Sequence, residues 1–561
     1  MPAVLQRIYR LRGIRSAEAL DCSLATLPSP DLLKGLSAAL DLLEHAIVEQ
    51  QSILIVGDYD ADGATSTALA MLGFSAMGAR HVDYLLPDRF QYGYGLSSAI
   101  VTLAAERQPD VIVTVDNGIA SHAGVDRAHE YGIRVVVTDH HLPASCLPNA
   151  DAIVNPNQPG CEFPSRNIAG VGVIFYVLVA LRARLRERAW FSNRLPEPNV
   201  AEWLDLVAVG TVADVVPLDG VNRIFVEQGL RRIRAGQCRP GITALLEVGK
   251  RDPARVVASD LGFAVGPRLN AAGRLADMTE GVHCLLEDDA AKARRRALAL
   301  DAKNHERREI EAGMQDDAWA VLARCEAAGA TLPWGLAVFE PHWHQGVVGI
   351  LASRLKDKLH RPVFAFAQGE SGELKGSGRS IAGFHLRDAL DAIAARSPGL
   401  IDRFGGHAMA AGLTMPSESL AAFSSAFDAL AHEWLSDDML QAVTWSDGEL
   451  AHDDFNLELA QQLRMAGPWG QKFPEPVFDG VFQVLQQRVL ADKHLKLRVS
   501  SPGVSQALDA IWFNADLDAW GHHALDVVRL AYRLDVNEYR GIENIQLIVV
   551  AVDFDNLDYT Q

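Results

Sequence analysis

Between residues 52 and about 217 the chain alternates short apolar runs with longer segments of helical spacing. The runs 53–56, 81–86, 111–115, 134–138 and 152–154 read as strands, and helical segments begin near Thr65, Ser97 and Ser121. This alternation predicts a parallel, doubly wound α/β sheet. Upstream, Leu36, Leu40, Leu43 and Ile47 recur at helical spacing, so residues 1–48 are expected to form a helical cap. Downstream, 203–212 reads as a helix. The stretch 281–328 lacks Pro, has no Gly between Val282 and Ala312, and is rich in Ala, Leu, Arg and Glu; it reads as one long helix leading to a second α/β lobe near Gly335. Residues 417–468 look helical, and 470–476 is a linker by its Gly and Pro. Five strand-like runs follow, 477–484, 495–499, 510–513, 527–534 and 545–550, the pattern of a small closed barrel of OB type.

Composition narrows the class. The 561 residues are 49% hydrophobic and 22% charged, a globular balance with room for three or four domains. The six cysteines, Cys22, Cys146, Cys161, Cys238, Cys284 and Cys325, are scattered with no Cys-x-x-Cys pair. That argues against a zinc site or a disulfide framework and for reduced thiols in a cytoplasmic protein. The first residues lack a continuous signal-peptide core, and the longest apolar stretch, 169–181, is too short to span a bilayer and reads as a buried core helix. No membrane association is expected. The net charge of −19 argues globally against nucleic acid, although charge can be segregated within one molecule. The basic clusters at 231–234, 294–296, 307–308 and 356–361 are most simply solvated helix faces.

The chemistry gathers at strand ends. Asp58-Tyr59-Asp60-Ala61-Asp62-Gly63 follows the first strand and Pro87-Asp88-Arg89 the second. Val115-Asp116-Asn117-Gly118 closes the third, Thr138-Asp139-His140-His141 the fourth, and Ala213-Asp214 follows the helix at 203–212. Parallel strands set their carboxyl ends side by side, where open α/β sheets bind ligands. Three carboxylates in five residues repel one another unless cations neutralise them. Oxygen ligands with imidazole favour Mn²⁺ or Mg²⁺ over Ca²⁺. An EF-hand loop would match Asp58, Asp60, Asp62 and Gly63, but its bidentate Glu is replaced by Leu69 and a strand leads in. A solvated acidic turn could explain one such segment, but not several converging ones.

Taken in order, these motifs resemble the DHH phosphoesterases, and among them the single-strand-specific 5′→3′ DNA exonucleases. The resemblance covers nearly the whole chain. It implies six segments: a helical cap (1–48), a DHH catalytic domain (49–280), a connecting long helix (281–330), a DHHA1 substrate-binding domain (331–440), a helical connector (441–469) and an OB-fold domain (470–561). It implies two Mn²⁺ or Mg²⁺ ions per active site. By analogy, Asp60 binds one, Asp62 the other and Asp116 bridges them, while His140 and Asp214 complete the second site. His141 would act on phosphate or support the ligands, and Asp58 and Asp139 would orient ligands from behind. Arg89 would neutralise developing phosphate charge. Many DHH phosphatases carry His where this chain has Val56, so one metal site is expected to be weaker, filled only with substrate, or completed by Asp58.

Further signatures fit the same family. Gly266-Pro267-Arg268-Leu269-Asn270-Ala271-Ala272-Gly273-Arg274 reads as a glycine-containing loop whose Arg residues, Arg274 above all, could bind phosphate, or as a structural turn with an Arg salt bridge. The stretches at 344–352, 375–380 and 404–412 put Ser, Arg or His among small residues in what reads as anion-binding helix starts. They are similar to the DHHA1 domain, in which Ser377, Arg379 and His407 would hold nucleic-acid phosphates. In the barrel, His494, Lys496, Arg498, Trp512, Tyr539 and Arg540 are candidate strand contacts or rim residues.

The resemblance implies degradation of single-stranded DNA to 5′-mononucleotides in recombination, repair and mismatch repair, with single-strand-binding protein and a helicase as partners. Single-strand specificity would follow from a cleft too narrow for a duplex. Two rivals stay open: a DHH phosphodiesterase or pyrophosphatase acting on short oligonucleotides, cyclic dinucleotides or other small substrates, and a non-catalytic DNA-binding scaffold on the same fold.

Overall fold

The structure is a computed structural model. It describes the chain except residues 89–91, 93–94, 328–330, 370–371, 502–506, 522–525 and 554–561, and gives only the backbone of 325–327, 518 and 539. Arg89 therefore lies outside the described residues, as does the Tyr539 side chain.

Helices α1 (Ala3–Leu11) and α2 (Leu36–Val48) precede strand β1 (Ile53–Val56). Then come α3 (Ala61–Ala76), β2 (Val82–Leu85), α4 (Ser98–Ala105), β3 (Val111–Val115), α5 (His122–Glu130), β4 (Arg134–Thr138) and β5 (Ala152–Val154). The five strands form one parallel sheet in the order β2-β1-β3-β4-β5. The chain goes from β1 outward to β2 and returns to β3 on the other side, so the switch point of this sheet lies between β1 and β3. Both faces are covered, which is why the strands read as unbroken apolar runs. Ile53, Ile55, Val111 and Val113 face the main core, while Leu54, Val56, Ile112 and Val137 pack with α4 and α5. Helices α6 (Gly170–Glu187), α7 (Leu204–Ala213) and α8 (Gly220–Arg234) complete the main core.

Three readings of the chain before residue 330 need correction. Helix α3 starts at Ala61 rather than near Thr65, because the Asp60 side chain accepts from Gly63 N at 3.0 Å and caps it. The 266–274 signature is not a loop: after a π-helical turn (Leu261–Val265) it forms the helix Gly266–Leu275. The long helix is two, Thr279–Leu286 and the 38-residue Ala290–Ala327, the break falling where Asp289 accepts from Lys292 N at 2.8 Å.

The chain divides into two compact units, the first comprising 1–273, 277–301 and 444–561, the second 274–276 and 302–443. The second unit carries a sheet in the order β6-β7-β8-β10-β9, with β6 (Leu336–Phe339), β7 (Val363–Gln368), β8 (Leu374–Arg379), β9 (Arg403–Gly406) and β10 (Ala410–Met415). This corrects the helix-start reading of 375–380 and 404–412, where 375–379, 404–406 and 410–412 are strand residues and His407 lies in the turn between β9 and β10. Only 344–352 enters a helix, Val348–Leu359. The glycines of β8 serve packing: a Cβ on Gly376 or Gly378 would lie 2.4 or 2.5 Å from the rings of Phe366 and Phe364.

The C-terminal strands β11 (Phe478–Leu490), β12 (His494–Ser500), β13 (Leu508–Trp512), β14 (Val527–Tyr539) and β15 (Ile542–Asp553) close a barrel in the order β11-β12-β13-β15-β14. The N-terminal segment helps to hold this part of the chain. Arg12 pairs with both carboxylate oxygens of Asp447 at 2.6 and 2.8 Å, and Tyr9 donates to Ala466 O at 2.7 Å. Arg255 reaches Glu543 at 2.8 Å at the far end of the β14–β15 hairpin. Among the described residues no helix is long and apolar enough to cross a membrane.

The β8 packing gives a direct test. Gly378→Val drives a branched side chain into the fully buried Phe364 ring, and overpacking costs about 1–3 kcal/mol. Thermal unfolding should show a clearly lower Tm, whereas a wild-type Tm would contradict this packing.

Candidate metal centre

Helix α3 begins directly at the end of β1. Asp60 occupies its N-cap and Asp62 its first turn, so the helix dipole favours both carboxylates. The start of α6 approaches from the other side: Asp62 Oδ2 accepts from Gly170 N at 2.6 Å and Oδ1 from Val171 N at 3.0 Å. Only glycine fits there, because a Cβ on Gly170 would lie 2.8 Å from Asp116 Oδ1. Gly210 of α7 is under the same constraint, 2.8 Å from Asp62 Oδ1. Asp116, at the end of β3, takes φ +63°, a left-handed conformation that Asp tolerates better than most residues. Its neighbour Asn117 donates to Val56 O at 3.0 Å and Val115 O at 2.9 Å, tying the ends of β1 and β3 together.

The β4 loop is held with equal care. Asp139 is buried; its Oδ1 accepts from His140 N, His141 N and His141 Nδ1 at 2.7, 3.0 and 2.8 Å, and its Oδ2 from Ile119 N at 2.9 Å. Asn157 donates to His140 O at 2.6 Å and Asn155 to His141 O at 3.0 Å. His140 Nε2 is thereby placed 3.1 Å from Asp116 Oδ1, 3.5 Å from Asp214 Oδ2 and 4.0 Å from Asp62 Oδ2.

The result is two groups of ligand atoms, Asp58–Asp60–Asp116 and Asp62–His140–Asp214, each with its atoms within 4.8 Å of one another. Asp116 also groups with His140 and His141, so it stands between the two. Asp58 sits with the first group, and Val56 lies in the apolar core instead.

The electrostatics fit cations. Burial and the Asp60 charge push Asp62 up to about 7. Asp116 and Asp214 are raised well above the usual carboxylate range, chiefly by burial and then by Asp62 and the surrounding acids. Asp214 Oδ2 is buried with no hydrogen-bond partner. Asp139 behaves oppositely: burial would raise it, but its hydrogen bond to His141 and the nearby imidazoles hold it low. For His141 burial favours the neutral ring, yet Asp139 and the acids around it raise the imidazole to about 9. This donor set of hard oxygens and imidazole suits Mn²⁺ or Mg²⁺.

The helix Gly266–Leu275 buttresses this centre. Asn270 Oδ1 accepts from Ala61 N at 2.8 Å, and a Cβ on Gly273 would lie 1.8 Å from Tyr59 O. Arg268 is structural, paired with Asp301 at 2.7 Å and donating to Ala264 O at 2.7 Å. Arg274 belongs to the second unit, where it donates to Gly346 O at 3.2 Å. Sequence reasoning missed the supporting Gly170, Gly210, Asn117, Asn155, Asn157 and Asn270. Asn117 and Asn270 stood inside the quoted motifs, and an Asn beside the acidic residues was the available signal.

In the second unit, Ser377 and Arg379 share the face of β8 turned to the start of the helix Val348–Leu359. A Cβ on Gly349 would lie 2.8 Å from Ser377 Oγ and 3.0 Å from Arg379 Nη2. Arg379 donates to Gly378 O at 2.8 Å and Ser377 Oγ at 3.2 Å, and burial lowers its pKa. No ion pair to a carboxylate offsets that burial among the described residues, which leaves a cationic site suited to an anion. His407 is exposed in the β9–β10 hairpin. In the barrel, Lys496 pairs with Asp509 at 2.9 Å, Arg498 and Arg540 are exposed, and Trp512 is partly buried against the core. The more available aromatic is Phe513, half exposed and edge-on to His494 at 5.4 Å.

Residues 52–211 match the N-terminal domain of the DHH family, 330–433 the DHHA1 domain and 446–551 the RecJ OB domain. The single-stranded-DNA-specific exonuclease RecJ of Dickeya dadantii (strain 3937) is 57% identical over 550 residues, 98% of this chain and 96% of that protein. The chain belongs to the RecJ family. Two RecJ crystal structures from Thermus thermophilus show the same fold. One, with Mn²⁺, is 32% identical with TM-score 0.81 and covers 98% of this chain and 76% of that one. The other, with Mg²⁺, is 30% identical with TM-score 0.75 and covers 98% and 74%. These are the two ions that the ligand chemistry of this chain favours, so RecJ membership and donor set agree.

The raised carboxyls make a pH prediction. A carboxyl whose folded pKa exceeds its unfolded value favours folding below the unfolded pKa and loses that contribution as pH rises through the folded one. For Asp62 the loss runs from about 4 to about 7. A metal ion replaces the proton, so it binds best above that window. Adding Mn²⁺ should raise Tm strongly at pH 8 and little at pH 5.5; equal shifts at both would contradict the assignment.

Proposed function

We propose that this chain is a metal-dependent exonuclease that degrades single-stranded DNA from the 5′ end to 5′-mononucleotides. The observation that carries the reading is the pair of ligand groups with Asp116 between them, in a chain with the full DHH, DHHA1 and OB set. Relatives aligned over 98% of this chain are named single-stranded-DNA-specific exonucleases. The 5′ polarity and the mononucleotide product rest on the family resemblance.

Two bound ions would supply an activated water and charge stabilisation for the phosphate and the leaving 3′-oxygen. Asp58, Asp60 and Asp116 would hold one, and Asp62, His140, Asp214 and Asp116 the other. Asp139 fixes the His140-His141 loop, and the imidazolium of His141 presents positive charge toward a phosphate. Arg89 is proposed to add to that charge. Ser377, Arg379, His407 and Arg274 would take backbone phosphates. Lys496, Arg498 and Arg540 on the barrel would follow the strand by charge, and Trp512 or, better exposed, Phe513 by stacking. We further propose that the six segments anticipated above act as separate functional parts. The setting is cytoplasmic DNA recombination, repair and mismatch repair, with single-strand-binding protein and a helicase as partners.

The test uses single-stranded oligonucleotides labelled at either end, with Mn²⁺, Mg²⁺ or chelator, beside a duplex control. Mononucleotides should be released from the 5′ end of the single strand, only with metal. Asp116→Asn should lower kcat/KM by more than about 100-fold, the upper range for a residue that merely supports a ligand. Release from the 3′ end would reject the polarity, cleavage of dinucleotides alone would reject the long-strand substrate, and full activity of Asp116→Asn would reject the metal mechanism.

A further inference from the structure

Asp214 caps the C-terminus of helix α7, and the residue after it is in the left-handed region, where helices usually place Gly. Here that residue is Val215, with φ +60°. Twelve described non-glycine residues take positive φ, and Val215 is the one β-branched side chain among them. Such a conformation persists only where the surroundings impose it. They do: Asp214 N donates to Gly210 O at 2.9 Å, Val215 N to Val212 O at 3.2 Å and Leu218 N to Gln471 O at 2.8 Å, while Asn222 Nδ2 holds Pro217 O at 2.8 Å.

This strain serves no packing, because Val215 is 62% exposed. Gly or Asn would close the helix with less strain and the same backbone. A second exposed aliphatic residue, Leu142 at 61%, directly follows His141. The two loops meet at the metal centre, where His140 Nε2 is 3.5 Å from Asp214 Oδ2. Two solvent-exposed aliphatic residues thus directly follow, in the chain, members of this acid and imidazole cluster.

We propose that Val215 and Leu142 form an apolar seat for the sugar and base face of the nucleotide next to the scissile phosphate. This rests on the exonuclease reading and deepens it, since an apolar surface beside a phosphate-cleaving centre fits the apolar part of the same nucleotide. A base in a duplex is stacked and tied to its partner and cannot turn onto the seat, whereas an unpaired base can. The seat therefore favours single strands without reading their sequence.

The experiment measures kcat/KM with Mn²⁺ on two single-stranded oligonucleotides. One is normal, and the other carries reduced abasic residues at the first two positions of the end that the wild type degrades. The wild type should lose about tenfold on the abasic strand. Val215→Ala with Leu142→Ala should lose a similar factor on the normal strand and little more on the abasic one. Metal-free Val215→Gly should unfold at a Tm equal to or above wild type. Wild-type kcat/KM in the double variant, or an undiminished abasic penalty, would overturn the seat. So would a Tm of Val215→Gly well below wild type, which would make the side chain structural. A wild type that degrades neither strand would reject the exonuclease reading, and the seat with it.

Discussion

Negative charge confined in a small buried volume is the constraint on which this fold's centre depends. Asp58, Asp62 and Asp116 are almost wholly buried, and Asp60, Asp214 and His140 close the cluster around them. Water cannot screen such a group, and the chain itself offsets only part of the repulsion. An α3 amide faces Asp60, the α6 amides face Asp62, and the His141 imidazole lies beside Asp139. What remains appears as the raised pKa of Asp62, Asp116 and Asp214. Asp139 shows the contrast: its carboxylate accepts four hydrogen bonds, three of them on Oδ1, and is held low, so it shapes the loop.

Several backbone features accompany that crowding. Gly170 and Gly210 leave room for carboxylates, Asp116 takes a left-handed conformation, and Asn117, Asn155, Asn157 and Asn270 tie loops to strand ends and helix starts. The second unit has the opposite imbalance, a half-buried guanidinium, Arg379, facing a helix start.

Much of this was legible in the sequence because it depends on local pattern. The ends of β3, β4 and β5 fall where the apolar runs end, since a strand buried on both faces has no reason to be polar within and must become polar where it meets solvent or ligand. The five barrel strands were placed, but β11 and β14 extend further than read, because their outer halves pair through polar residues such as Gln486 and Asn537 that break the apolar alternation. The glycine stretch at 375–380 misled: its glycines answer to Phe364 and Phe366, contacts no local pattern reveals. The same holds for α6, whose apolar sequence announces a core helix but not that its first amides hold Asp62. Of the site, the clustered acids and His140 were legible as residue types at the ends of strands and of α7; the residues that support them act across long sequence separations and were not.

The central claim is that two ions share this cluster, with Asp116 between them. The most direct measurement is an anomalous difference map at the manganese edge from crystals grown with Mn²⁺. The account predicts two peaks roughly 3.5–4 Å apart, one against Asp58, Asp60 and Asp116 and the other against Asp62, His140 and Asp214. A single peak, or manganese bound away from Asp116, would contradict it.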